Sequence, residues 1–428
     1  MLDLVTVYTI PVFLWVAALY KLYPHIRWRR DLTPAQRDLV VTLACLGLGA
    51  VLLLPAVYQW IGDAFGIPNL ARPLANGLGL IACWTGQSLF VRLTESESTA
   101  GRAIRLYALA LLILLALLAA SFVAASPSLT ESAIDFTQRF ADNPYVLDYR
   151  VVYMLGFGLS AANISRLAWR YGKLSTANPS LQLGLLLVTF GGIAGLLYAL
   201  QDVGYLIGHR VGLLYPRQES VLLTQVLVFL SAASFTIGST LPEWGNWVGV
   251  PALHRWLWQY RSLRRLYPLW KALYEATPEI ALTGSVSLLQ DILDVRDLGF
   301  RLYRRVVEIR DGALALRPYR PDWVEDLARN VCERNRVPRE DIPLVVEAAC
   351  LAAAIELKRM NTKVAQSAHE PLGSGQGGAD LATEVVILEG LAHHFRRSKV
   401  VRAVLSELES ALAHGSIAHP TEGPAPRA

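Results

Sequence analysis

Charge is scarce in this sequence. Lys, Arg, Asp and Glu make up 18% of its 428 residues against 53% hydrophobic residues, a balance too apolar for an ordinary soluble domain. Cysteine is scarce too: Cys45, Cys83, Cys332 and Cys350 are scattered, with no pair at metal spacing and no disulfide framework. They read as small buried hydrophobes. Strand-type alternation is missing, so the fold class is all-α. No phosphate-binding Gly-rich loop with its Lys occurs, which excludes an ATP-driven pump acting alone. Gly373, Gly375 and Gly378 match a dinucleotide fingerprint in spacing, but no strand precedes them and no acid follows at the required distance. His393 and His394 have no further ligand at metal spacing and read as a solvated helix surface. No nucleophile–base pair emerges. No catalytic residue, cofactor or metal is therefore assigned, and an enzyme is disfavoured.

The charges present are unevenly divided. Residues 1–241 hold 16 Lys/Arg and 12 Asp/Glu, and residues 242–428 hold 24 and 23. The second half is nearly neutral, so the net +5 is no signal for nucleic acid. The first half is built from apolar runs of bilayer-crossing length: Leu2–Tyr20, Leu39–Trp60, Pro73–Val91, Leu106–Ala125, Tyr149–Trp169, Leu181–Ile207 and Val221–Leu241. Leu2–Tyr20 has no basic stretch before it and no cleavage site after it, and is expected to be a retained span. The expectation is a seven-helix transmembrane bundle over residues 1–241.

Orientation follows from the basic residues. The first, third and fifth connections with their flanks hold eleven, among them Lys21, Arg92 and Arg166, and the opposite side holds five, including Arg72, Arg150 and Arg210. The positive-inside rule then puts the N-terminus outside and the C-terminal half in the cytoplasm, at a cell membrane. Tyr58, Trp60, Tyr149 and Trp169 near span ends fit interfacial belts. Small residues at four-residue spacing, Gly191/Gly195, Gly156/Ser160 and Ser234/Gly238, let helix backbones approach. Packing within one bundle is the first reading; a homodimer seam is the second.

Asp202 is the polar residue that stands out, within Leu181–Ile207. A carboxylate at membrane depth costs about 2.5–3.5 kcal/mol on insertion scales, so it turns to a cavity or a partner. Arg150 and Arg210 lie toward its end of the membrane; Gln87, Asn163 and Gln225 are polar candidates elsewhere. By three- and four-residue spacing Tyr198, Gln201, Asp202 and Tyr205 share a face. They would line an outward-opening pocket for a small polar or cationic ligand; the competing reading is that Asp202 sits in the outer interface, hydrated or paired with Arg210, with no further role.

After Pro242 the composition changes. No acid occurs between Glu243 and Glu275, while Arg255, Arg261, Arg264, Arg265 and Lys271 interleave with Trp256 and Trp270. Residues 242–284 read as juxtamembrane basic aromatic helices, split or bent at Pro268, suited to the anionic cytoplasmic leaflet of the lipid bilayer. Packing of the aromatic face on the following domain is the competing reading. Residues 285–413 read as an all-α cytoplasmic domain, with helices over Asp322–Arg336, Arg339–Lys363 and Ala379–Ala413. Leu298, Leu302, Val306 and Ile309 share a buried face. Arg304, Arg305 and Glu308 lie at ion-pair spacing on a solvated one, and Gly312 is the expected stop. Pro371–Gly378 reads as a loop and residues 414–428 as a disordered tail.

The runs Leu266-Tyr267-Pro268-Leu269-Trp270, Ala276-Thr277-Pro278-Glu279-Ile280 and Tyr303-Arg304-Arg305-Val306-Val307-Glu308-Ile309-Arg310-Asp311-Gly312 resemble those of actinobacterial seven-span integral membrane proteins, usually labelled transporters, whose cytoplasmic half is a domain of unknown function. The resemblance extends from the span pattern to about Leu412. It implies the architecture and brings no catalytic residues. Two functions fit: a seven-span sensor or scaffold signalling through its helical domain to a cytoplasmic effector protein, or a secondary transporter of a small polar solute with a regulatory domain. No kinase or cyclase signature is present, and no two-fold repeat is evident in seven spans. The 187-residue second half favours signalling.

Overall fold

Prolines and polar caps decide where the long helices begin. In the computed structural model, which describes residues 2–28, 31–126, 129–132, 136–140, 142–174, 178–212, 217–280, 291, 293–361 and 380–413, the chain forms two compact units, Met1–Pro251 and Ala252–Ala428. No strand occurs among the described residues. The Gly373–Gly378 fingerprint and the 414–428 tail lie outside them.

The first unit contains α1 (Leu2–Trp28), α2 (Pro34–Leu52), the short α3 (Pro55–Phe65), α4 (Ala71–Thr94), α5 (Glu97–Ala125), the single-turn α6 (Phe136–Arg139), α7 (Pro144–Leu174), α8 (Pro179–Arg210) and α9 (Arg217–Trp244). Thr33 caps α2 with a capping box closed by Gln36, and Asn178 caps α8 by accepting from Ser180 and Leu181 N–H groups. Each is followed by Pro in the first turn, where its missing N–H costs nothing. Six helices, α2, α4, α5, α7, α8 and α9, are long and apolar enough to cross a membrane. The chain is thus a multi-pass membrane protein.

One expected span is redrawn. Leu39–Trp60 is not continuous: α2 ends at Leu52, and α3 starts anew at Pro55. Proline disfavours helical backbone before it, and Leu54 is extended at φ −64°, ψ 131°. Pro242, by contrast, sits inside α9, and Pro268 inside a single unbroken helix, α10 (Val250–Ala276), so the expected split there does not occur.

Polar ties between helix ends fix the alternation of the bundle. Arg92 at the end of α4 reaches Asp38 at the start of α2 (2.9 Å), and Lys21 near the end of α1 reaches Glu243 at the end of α9 (2.6 Å). Ser180 at the start of α8 donates to Asn246 just beyond α9. These residues mark a basic end. At the opposite, capped end lie α3, α6 and the segments beside them. There Asn69, fully buried at φ 62°, accepts from the Tyr58 hydroxyl and the Ser132 N–H and donates to the Thr130 carbonyl, each at 2.8 Å. Tyr58 and Tyr149, expected in interfacial belts, are instead core residues.

The small-residue stripes serve packing inside this bundle. A Cβ on Gly184 would stand 2.5 Å from the Gly238 carbonyl oxygen, and one on Gly238 2.5 Å from that of Gly184. Backbone meets backbone between α8 and α9, which only glycine permits. Gly191 abuts Ser231 and Phe235 in the same seam.

The second unit contains α10, α11 (Leu298–Ala315), α12 (Asp322–Arg334), α13 (Ile342–Arg359), α14 (Leu381–Arg397) and α15 (Lys399–Ala413). Its core gathers around α13, whose run Val345–Ile355 is buried throughout. The expected helix Ala379–Ala413 is two helices. Ser398, extended at φ −65°, ψ 132°, breaks it, and its hydroxyl accepts from the Val400 N–H; a serine starting a new helix this way is a capping residue. Gly312 does not stop α11, which runs on to Ala315. Arg305 and Glu308, expected on a solvated face, are buried. Arg305 pairs with Asp291 (2.8 Å) and lies 4.3 Å over the Trp270 ring, while Glu308 accepts from Arg304 and from the Trp270 indole N–H. Periodicity located the apolar face of α11, but not that α10 would cover the polar flank beside it.

Candidate functional site

A carboxylate inside an apolar helix must find a positive or hydrogen-bonding partner, and Asp202 finds Arg150. Asp202 lies eight residues before the end of α8, about 12 Å along the axis, and Arg150 lies near the start of the antiparallel neighbour α7. Their depths match. Arg150 Nη2 and Nε stand 2.8 and 2.9 Å from Asp202 Oδ2, with side-chain exposures of 3% and 1%. The guanidinium also donates to the Tyr198 hydroxyl at 3.1 Å and lies 5.6 Å from the Tyr153 ring centroid. A fork of donors on one planar cation suits this arrangement, which a lysine could not reproduce.

The pair stands between two voids in the bundle. The larger, about 370 Å³, is bordered by α1, α2, α4, α7, α8 and α9. Much of its wall is apolar, including Leu14, Leu46, Phe157, Ile164, Val228 and Phe235, and its polar residues include Arg72, Asn76, Arg150, Tyr153, Tyr198 and Gln225. The smaller, about 60 Å³, is lined by Phe136, Thr137, Asp202 and Val221. Arg72, Arg150, Tyr198, Thr224 and Gln225 border both. Phe136 packs edge-on to Tyr149, and the Arg72 guanidinium lies 4.7 Å over the Phe136 ring. Asn76 donates to Tyr149 at 2.6 Å. Arg72 donates to Tyr58, and Tyr58 to Asn69, so this polar group continues into the capped end.

The four residues read from the sequence as one pocket are separated. Asp202 and Tyr198 come together at the voids. Gln201 turns to α9, donating to Ser220 and accepting from Thr224, both at 2.9 Å. Tyr205 is buried beside Leu147, with its ring tilted over His209. The ligand charge expected from a bare carboxylate changes as well. Arg150 already neutralises Asp202, so a cation would have to displace a buried guanidinium. Arg72, Asn76, Tyr153 and Phe136 entered none of the sequence assignments to this pocket. Arg72 and Asn76 carried one available signal: both fall in the first two turns of their helix, at the depth of Arg150.

A second polar group ties the bundle nearer its basic end. Gln87 donates to Ser160 and accepts from Asn163, which donates to Tyr107 and accepts from Arg166. These bonds join α4, α5 and α7, and their satisfied geometry marks them as structural.

The basic aromatic residues of α10 divide between surface and interior. Arg255, Arg261, Arg264, Arg265 and Lys271 are exposed. Trp256 is 38% exposed and stacks on Tyr260 with the rings 2° from parallel. Trp270 is corrected: at 3% exposure, held by Glu308 and Arg305, it is a core residue and offers nothing to a membrane surface. The competing reading, packing of this face on the domain, holds for Leu263, Leu266, Tyr267, Leu269 and Leu273, all buried in the second unit's core.

Among the described residues no group of three His, Cys, Asp or Glu side chains is placed to hold a metal ion. His393 and His394 meet edge to face, and burial together with the neighbouring His393 lowers the pKa of His394 against the opposing pull of Asp341.

Comparison with known proteins adds one finding. Residues 255–398 match a family model described as a family of unknown function (DUF6545), so this domain is present in the second unit. No curated protein and no solved structure matches the chain.

Proposed function

We propose that the chain is a seven-span membrane receptor: a small amphipathic ligand enters the helix bundle, and the helical second unit relays occupancy to an effector on the cytoplasmic side. The cavity of about 370 Å³ carries this reading. Its volume lies in the range of ligand sites, and its mostly apolar wall with a few convergent polar groups is their usual character. A void of about 150 Å³ accepts benzene, so this one suits a molecule two or three times that bulk. Because Asp202 is compensated, the polar end favours a head group that accepts hydrogen bonds over a cationic one.

Support for a seventh span comes from α1. It is 27 residues long, and its Lys21 meets Glu243 at the end of α9, placing both at the basic end. By sequence, eleven of the sixteen basic residues of the first half fall in the connections and flanks on that side, which the positive-inside rule assigns to the cytoplasm. The exposed arginines of α10 fit contact with the anionic leaflet there, each contributing about 1 kcal/mol near the surface.

The test is ligand capture. Protein extracted into nanodiscs should carry or bind amphipathic acceptor molecules seen by native mass spectrometry. Ala232→Phe, which puts a ring into the cavity wall, should abolish binding without lowering the unfolding temperature. Equal binding by Ala232→Phe would reject the cavity as the site. A second reading is secondary transport, favoured by the position of Arg150 between two voids. Ligand uptake into sealed proteoliposomes, dependent on Arg150, would select it over relay.

A further inference from the structure

The character of the larger cavity changes along the bundle axis. On α4, Arg72 and Asn76 border it toward the capped end, and Gly79, Ala82 and Cys83 toward the basic end. On α7 the order is Arg150 and Tyr153, then Phe157, Ala161 and Ile164. On α9 it is Thr224 and Gln225, then Val228, Ala232 and Phe235. Two polar residues stand outside this order. Thr42 donates to the Asp38 carbonyl and shares a hydrogen bond with Thr85, and Ser231 lies against Gly195 in the α8–α9 seam. The polar end still holds donors with nothing to bond. Asp202 and Tyr198 take Nε and Nη2 of Arg150, and its Nη1 makes no hydrogen bond to a described residue. The Tyr153 hydroxyl makes none either. Both residues border the cavity and are more than nine-tenths buried, at 2% and 8% exposure. Donors left beside an apolar cavity cost free energy until an acceptor reaches them.

We propose that the ligand of this cavity is a single-chain amphiphile of about twelve to fourteen carbons. Its head accepts hydrogen bonds from Arg150 and Tyr153, and its chain lies toward the basic end. The inference rests on the cavity reading above and names the ligand class. Two separate measures give the chain. Positions 72 to 83 on α4 and 224 to 235 on α9 both border the cavity, and each interval is eleven residues, about 16 Å at a rise of about 1.5 Å per residue. An extended chain advances about 3.6 Å for every three bonds, so about thirteen bonds span that length. By bulk, a void of about 150 Å³ accepts the six carbons of benzene. On that scale the cavity of about 370 Å³ holds about fifteen carbon-sized groups. Length and volume agree for one unbranched chain with its head, and a second chain has no room. The direction is that of a lipid in the leaflet at the capped end, head toward the surface and chain toward the midplane. The Arg150–Asp202 pair is neutral as a unit and its unused atom is a donor, so the head is an acceptor and not a cation.

Full-length protein in nanodiscs tests class, length and direction. Straight-chain carboxylic acids of eight, twelve, fourteen and eighteen carbons are supplied at equal mole fraction. The protein-bound amount is read by native mass spectrometry against empty nanodiscs. Retention should peak at twelve and fourteen carbons, and dodecylamine, with the same chain length and a cationic head, should not be retained. A diazirine on the last carbon of the twelve-carbon acid should label peptides containing Ile164 or Phe235. One beside the carboxyl should label the peptide containing Arg150 and Tyr153. Tyr153→Phe removes a hydroxyl that no described residue bonds, so it should weaken retention about two- to tenfold with the unfolding temperature unchanged. Retention independent of chain length, with binding still abolished by Ala232→Phe, would leave the cavity a ligand site and overturn the single chain. Reversed labelling would overturn the direction, and equal retention of dodecylamine the acceptor head. Retention of none of the acids would overturn the proposal outright.

Discussion

Asp202→Asn removes one charge and keeps the side-chain volume, and from sequence alone it would be a mild change. The structure makes it severe. Arg150 would be left with 3% of its side chain exposed and without the carboxylate that two of its nitrogens contact. Breaking a buried pair by removing one partner costs about 3–5 kcal/mol. A lone arginine at mid-membrane costs about 2.5–3.5 kcal/mol on insertion scales. The pair sits toward one end of the bundle, so the lower part of the first range, about 3 kcal/mol, is expected. Removing Arg150 instead should cost less, because a carboxylate can shed its charge by binding a proton and a guanidinium cannot. Replacing both with apolar residues of similar size is often neutral or stabilising by about 1–4 kcal/mol. Asp202→Leu with Arg150→Met should therefore recover most of the loss. The assay is a double-mutant cycle of Asp202→Leu and Arg150→Met, each alone and both together, by denaturing-detergent unfolding in mixed micelles, followed by tryptophan fluorescence. The expected coupling is at least about 2 kcal/mol. Single losses that add in the double variant to within about 0.5 kcal/mol, as distant sites do, would refute the argument that the two side chains act as one buried unit.

Three other outcomes follow. Gly238→Ala should prevent close packing of α8 on α9, because its Cβ would stand 2.5 Å from a backbone oxygen that has nowhere to move; a fall in detergent-resistant folded yield would show it, and wild-type yield would contradict it. Asn69→Ala should remove three hydrogen bonds, those from the Tyr58 hydroxyl and the Ser132 N–H and the one to the Thr130 carbonyl, each worth about 0.5–1.5 kcal/mol net, so the unfolding temperature should drop measurably while α10 to α15 remain unaffected. Burial pushes the Cys350 thiol up to about 11; its thiolate, the reactive form, is then rare at pH 8, so maleimide should label it only after denaturation.

How far the sequence reached can be judged at α11 and α8. At α11 the period of Leu298, Leu302, Val306 and Ile309 located the buried face, because apolar side chains leave water whatever covers them. It did not show that Arg305 and Glu308 would be covered as well. Their burial depends on Trp270 and Tyr267 arriving from α10, about thirty-five residues earlier in the chain. At α8 the apolar run with one carboxylate established that Asp202 needs a partner. The choice of Arg150 over Arg210 came from the antiparallel packing of α7 on α8, which sets the two groups at one depth. Gln201 shares a face with Asp202 by spacing, yet Ser220 and Thr224 on α9 draw it away.

The sequence by itself determined that this is a helical multi-pass membrane protein with a separate helical second half, and where the basic residues concentrate. Local causes suffice for these: the length of apolar runs, the backbone demand for internal hydrogen bonds in lipid, and composition on either side of Pro242. Only the tertiary structure decided that Asp202 is neutralised, that a cavity of about 370 Å³ opens beside it, and that Trp270 belongs to the core. Each of these depends on which helix stands next to which. Helix neighbours follow from glycine seams and matched polar depths summed over the whole bundle, and no single stretch of sequence contains them.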